Sequence, residues 1–92
     1  VSVDKFELFQ NYPNPFNPST KISWQSPVSS WQTLKVYDVL GNEVATLVDE
    51  YKPAGMYNVQ FTMHNDQSSS GVYFYQLKVG NYLETKKMIL LR

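Results

Sequence analysis

Thr33-Leu-Lys-Val-Tyr-Asp-Val-Leu-Gly-Asn42 is the stretch on which the fold turns. Successive side chains of an extended chain alternate, so Leu34 and Val36 share one face while Lys35 and Tyr37 share the other. Residues 39–42 then supply a turn in which Gly41 is available for positive φ, and the stretch reads as the first arm and corner of a hairpin. The return arm, residues 43–49, carries Val44, Ala45, Leu47 and Val48, a spacing that also fits a helical turn. A helix this short is marginal in water and both flanks are strand-like, so the arm is assigned as strand.

The same pattern extends in both directions. Upstream, residues 6–10 are apolar, and residues 21–24 alternate until Gln25-Ser-Pro27 stops them. Downstream, Lys52-Pro-Ala-Gly55 makes a turn, after which residues 56–62 place Tyr57, Val59 and Phe61 on one face. Residues 64–70 form the longest polar break. Gly71 reopens a strand over residues 72–79 with Tyr73, Tyr75, Leu77 and Val79 toward the core, and Gly80-Asn81 turns it back. The last element, residues 83–91, begins polar and ends in Met88-Ile-Leu-Leu91, a run apolar enough that it must be tied into a sheet. About seven short antiparallel strands, with turns roughly every eight to twelve residues, predict an all-β, immunoglobulin-like β-sandwich. It lacks the Cys pair and the Trp of antibody domains, and a small barrel is the runner-up. On this reading residues 26–32 and 64–70 lie at the sandwich ends.

Ahead of these strands runs Asn11-Tyr-Pro-Asn-Pro-Phe-Asn-Pro-Ser-Thr20. Each residue before a Pro is pushed toward extended geometry and the Asn side chains can close Asx turns, so the segment is stiff without being helix or sheet. Its role is read as architectural, with Phe16 plugging one end of the core. Ordered loops first satisfy their own backbone groups, which weighs against a ligand site there.

Bulk numbers bound the function. A chain of 92 residues, 42% hydrophobic, supports one domain and one core. Eight basic residues balance eight acidic ones, so no long-range field gathers nucleic acid or an anionic membrane. The absence of Cys removes disulfides, thiolate metal sites and thiol catalysis together, and leaves the redox compartment open. No apolar run approaches the ~20 residues that span a bilayer, and the first residues lack the apolar core of a signal peptide. A chain starting at Val1 is expected to be cut from something longer.

Candidate chemistry thins out on inspection. His64 has no triad partner or nucleophile elbow, Asp49 and Glu50 point to opposite sides of a strand end, and Ser68, Ser69 and Ser70 have no identifiable base. One His and scattered carboxylates give no metal-ligand spacing, and Pro18 blocks glycosylation of Asn17. No catalytic residue, cofactor or metal ligand is assigned. Aromatic residues make up 15% of the chain. Core packing accounts for them first, with sugar stacking on exposed rings, Trp24 and Trp31 among them, as the alternative.

Taken together, Leu8-Phe-Gln-Asn-Tyr-Pro-Asn-Pro-Phe-Asn-Pro-Ser-Thr20, Val36-Tyr-Asp-Val-Leu-Gly-Asn-Glu-Val-Ala-Thr-Leu-Val48, Ala54-Gly55, Ser70-Gly-Val-Tyr-Phe-Tyr-Gln-Leu77 and Thr85-Lys-Lys-Met-Ile-Leu-Leu91 resemble the type A, Ig-like C-terminal sorting domain of cargo exported by the type IX (Por) secretion system. The middle and Gly-Val-Tyr stretches alone also look like the Ig-like domain of flagellar hook-capping proteins. The resemblance implies a single sorting domain over residues 1–92, with residues 1–5 a linker from a larger cargo. It implies a non-catalytic substrate of the outer-membrane translocon and its shuttle proteins, and of a sortase-like cysteine peptidase that cuts at or before residues 1–6. The route implied is transit through the periplasm, then release or cell-surface anchoring. Carried over by position, recognition falls on Lys86, Lys87, Met88, Ile89, Leu90, Leu91 and Arg92, and the structural motif on Asn14, Pro15, Phe16, Asn17, Pro18, Gly41, Gly55, Gly71 and Tyr73. The expected mode is strand addition to an unpaired terminal edge, and self-pairing into an edge-strand homodimer stays open. A carbohydrate-binding module and a passive Ig-like spacer are the alternatives.

Overall fold

Alternating burial organises the chain into seven strands: β1 (Glu7–Leu8), β2 (Ser19–Ser26), β3 (Ser30–Tyr37), β4 (Glu43–Lys52), β5 (Gly55–Thr62), β6 (Gly71–Val79) and β7 (Tyr82–Leu90). The computed structural model describes residues 3–63 and 71–91, and among them there is no helix. All pairing between these strands is antiparallel, in a three-stranded sheet ordered β1-β2-β5 and a four-stranded sheet ordered β4-β3-β6-β7. The expected β-sandwich is the fold observed.

The core lies between the two inner faces. Ile22 and Trp24 of β2 and Phe61 of β5 face Leu34 and Val36 of β3, Tyr75, Leu77 and Val79 of β6, and Met88 and Leu90 of β7. Each buried aliphatic or aromatic side chain contributes about 1.5–3 kcal/mol relative to exposure. Trp24, 1% exposed, donates its indole N–H to Oε1 of buried Gln32 at 2.9 Å. Residues 26–32 are therefore not an end loop. Ser26 closes β2, β3 begins at Ser30, and Gln32 sits in the core, leaving only Pro27, Val28 and Ser29 to cross between sheets.

Two elements depart from the expected shape. β4 is a strand, but its register against β3 shifts twice, skipping Leu47 between Thr46 and Val48 and Val44 between Glu43 and Ala45. Each skip is a bulge that twists the strand and leaves a residue unpaired. The first strand is only Glu7–Leu8, paired to Gln25 and Trp24; beyond it the chain keeps to β2 through the Phe9 N–H to Ser23 O bond and the Tyr12–Lys21 bridge, while Gln10 bonds Lys87 of β7. The expected polar break at residues 64–70, with His64 and Ser68 to Ser70, lies outside the described residues.

The hairpin corner at residues 38–42 forms as the sequence predicts. Oδ1 of Asp38 accepts the backbone N–H groups of Leu40 and Asn42, both at 2.9 Å, and Gly41 adopts φ +87°. The bond from the Asn42 backbone is the main cause that holds the Asp38 carboxyl below its usual range.

Candidate recognition surface along the C-terminal strand

β7 alternates like any half-buried strand, and its phase decides which side chains a partner can touch. Met88 and Leu90, both 0% exposed, point into the core. Glu84 and Lys86 share that inward phase nearer the rim, half-buried and 3.7 Å apart as an ion pair. Tyr82 donates its hydroxyl to Glu84 and stacks on Phe6 with ring centroids 4.5 Å apart. Burial, with the Glu84 carboxylate beside it, keeps the Tyr82 hydroxyl protonated well above the usual tyrosine range. The opposite phase is Leu83, Thr85, Lys87, Ile89 and Leu91, of which Leu83 is 58% and Leu91 54% exposed. The predicted recognition residues therefore divide: Lys87 and Leu91 are displayed, Lys86 and Ile89 are half-buried, Met88 and Leu90 anchor the strand, and Arg92 lies outside the described residues. Leu83 belongs to the same outer ridge, outside the predicted recognition residues, and the alternation of residues 83–91 carries it.

β7 is the rim strand of its sheet, yet the expected open edge is only half there. Along residues 87–91 the outer backbone groups are already engaged by residues 10–16. The Phe16 N–H bonds Ile89 O at 2.9 Å and the Leu91 N–H bonds Phe16 O at 2.9 Å. Oδ1 of Asn14 accepts the Ile89 N–H at 3.0 Å, and Nε2 of Gln10 donates to Lys87 O at 2.7 Å. Phe16 and Leu90 form a parallel bridge, and Phe16 itself is 1% exposed. Strand addition at this half of β7 is thus blocked by the chain's own loop.

That loop is fixed at several points. The Tyr75 hydroxyl donates to Phe9 O at 2.7 Å and accepts the Asn11 N–H at 2.8 Å. Burial pushes its pKa up to about 12. Asn11 Nδ2 donates to Thr20 Oγ1 at 2.9 Å, and the Met63 N–H bonds Pro18 O at 2.9 Å. The Tyr12–Pro13, Asn14–Pro15 and Asn17–Pro18 bonds are cis. Pro15, Asn17 and Pro18 are exposed, so within the motif Asn14 and Phe16 carry the contacts to β7. Of the other motif positions, Gly55 opens β5 opposite Ser26, Gly71 opens β6 opposite Leu90, and Tyr73 is half-buried opposite Met88.

Among the described residues no group of three His, Cys, Asp or Glu side chains is placed to hold a metal. Asp49 accepts the Trp31 indole N–H at 2.6 Å while Glu50 pairs with Lys52 at 3.1 Å, so the two carboxylates do serve opposite faces. Burial takes Trp24 out of any sugar-stacking surface and leaves Trp31, Tyr12 and Tyr51 as the exposed rings.

The described residues form an all-β sandwich in two antiparallel sheets whose C-terminal strand is locked at its rim. The family model for the secretion system C-terminal sorting domain matches residues 10–91, and the chain belongs to that family. No curated protein matches the chain. It is a C-terminal secretion signal of type IX cargo, a class delivered across the outer membrane to the cell surface or released, and its function involves the secretion machinery.

Proposed function

We propose that the chain acts without catalysis as the address of a larger cargo, read by the outer-membrane translocon and its shuttle proteins through the outer face of β7. The observation that supports this is the family match over residues 10–91, taken with the solvent-facing ridge that ends the last strand. Lys87, Ile89 and Leu91 make the contacts, Lys86 and Arg92 supplement them, and Met88 and Leu90 act by holding the ridge in place. Because the loop of residues 10–16 occupies the neighbouring backbone, recognition runs through side chains rather than through an added strand at this half of the edge. Residues 1–92 act as a single domain, with residues 1–5 as the linker to the cargo. The route passes through the periplasm, and a sortase-like cysteine peptidase removes the tail at or before residues 1–6.

The test is a fluorescent reporter with an inner-membrane export signal fused ahead of this chain, in a host that has the translocon. The parent fusion reaches the surface, while Lys87→Glu combined with Leu91→Asp leaves it in the periplasm. Both positions are exposed, so the thermal unfolding of the double variant stays within about 1 kcal/mol of the parent. Normal surface delivery of a folded double variant overturns the reading.

A further inference from the structure

Three of the four sheet edges are guarded, and among the described residues the fourth is not. β1 is two residues long, β4 is broken by two bulges, and β7 is covered along residues 87–91 and turns the charges of Glu84 and Lys86 inward. Short edges, bulges, inward charges and covering loops are the devices that stop strands from pairing between molecules. Among the described residues β5 has no bulge and no covering strap, and a neighbouring charge, the Lys52 ammonium, lies 4.7 Å from the Tyr57 ring centroid. Gly-Met-Tyr-Asn-Val-Gln-Phe-Thr carries no charge and no Pro, and its register against β2 runs unbroken from Gly55 to Thr62.

The phase of β5 follows from its neighbours. The Met63 N–H reaches Pro18 O, and Lys21 exchanges both backbone bonds with Tyr12 on the far side of β2. Odd positions of β5 therefore bond to β2, and the N–H and C=O groups of Met56, Asn58, Gln60 and Thr62 face outward. Inside the same rim Tyr57 and Val59 are only half-buried against the core. The opposite side of the sandwich, between β1 and β7, is strapped by the chain itself, whereas among the described residues nothing straps the backbone ladder of this side or its apolar margin.

We propose that this edge is self-complementary, and that two copies of the chain join antiparallel through β5 about a two-fold axis at Val59. One register uses every outward group: Asn58 pairs with Gln60 of the second copy, Met56 with Thr62, and Val59 meets its own symmetry mate at a non-hydrogen-bonded site. Side-chain amides face side-chain amides, and no like charges are opposed. Self-pairing of β7 would instead bring Lys86 and Lys87 together. The three-stranded sheet becomes the half of a continuous sheet, and Tyr57 and Val59 gain cover. This inference stands apart from the sorting reading, since either holds without the other.

Sedimentation equilibrium of the 92-residue chain from micromolar to millimolar concentration tests it. The parent follows a monomer–dimer equilibrium. Asn58→Lys, at an exposed position, sets two ammonium groups diagonally across the axis and shifts the chain to monomer with its unfolding transition retained. In this Cys-free chain Val59→Cys forms an interchain disulfide under mild oxidation, because the paired Cα atoms lie within disulfide reach, while Met56→Cys, which faces Thr62, does not. A parent that stays monomeric at millimolar concentration, a dimer indifferent to Asn58→Lys, or equal cross-linking of the two Cys variants overturns the proposal.

Discussion

Replacing Tyr75 by Phe removes one oxygen from a side chain that is 0% exposed and leaves its ring in place. That oxygen donates to Phe9 O at 2.7 Å and accepts from the Asn11 N–H at 2.8 Å, and Asn11 is itself buried. Each such bond is worth about 1 kcal/mol net, and a buried backbone group left without a partner costs about 1–3 kcal/mol. The expected loss is therefore about 2–3 kcal/mol, or a fall in Tm on the order of 10–20 °C for a domain of this size. Urea denaturation should show the midpoint moving with an unchanged slope, since no surface exposed on unfolding is altered. The pH dependence adds a second signature. Burial raises the Tyr75 pKa from 10.0 to about 12 in the folded chain. The unfolded chain releases this proton first, so the stabilisation is complete below pH 10 and is lost as pH rises through about 12. The gap between parent and variant should narrow over that window. A loss below about 0.5 kcal/mol at neutral pH, or a gap that widens in alkali, refutes the bridging role assigned to this hydroxyl.

The loop clamp on β7 predicts that Asn14→Ala exposes the Ile89 amide, costing about 0.5–1.5 kcal/mol; hydrogen exchange at Ile89 should accelerate, and unchanged protection counts against the clamp. In the core, Gln32→Met orphans the Trp24 indole N–H but also removes the buried, unpartnered Gln32 Nε2, so it costs less than the ~1–3 kcal/mol of one lost partner, whereas adding Trp24→Phe removes the orphan, and denaturant titrations of the single and double variants should reveal a favourable coupling; strict additivity contradicts the buried pair.

Strand after strand is legible in this sequence because each buries one face, and the alternation of β2, β3, β5 and β6 states that face directly. β4 is the instructive exception. Its two bulges advance the phase at Leu47 and Val44, which is why Val44, Ala45, Leu47 and Val48 mimic a helical turn on paper. Gln32 reads as loop material, since nothing local says that an indole eight residues away donates to its Oε1. Residues 6–10 look like a full strand, but only two of them form the strand, and Gln10 bonds Lys87 of β7. The outer ridge of β7 is written in its own alternation. The occupied edge behind it is not, because Asn14 and Ile89 are 75 residues apart and Tyr75 and Phe9 are 66 apart. Such contacts are set by how the two sheets close, which no local pattern encodes.

The grip of Ile89 and Leu91 on Phe16 has a temporal meaning. Both termini of the sandwich must meet before either is secure, so until residues 88–91 have been made Phe16 lacks its backbone partners and the space of Met88 and Leu90 in the core is unfilled. Closure of this edge therefore waits on residues 88–91, which are made long after the loop that they hold.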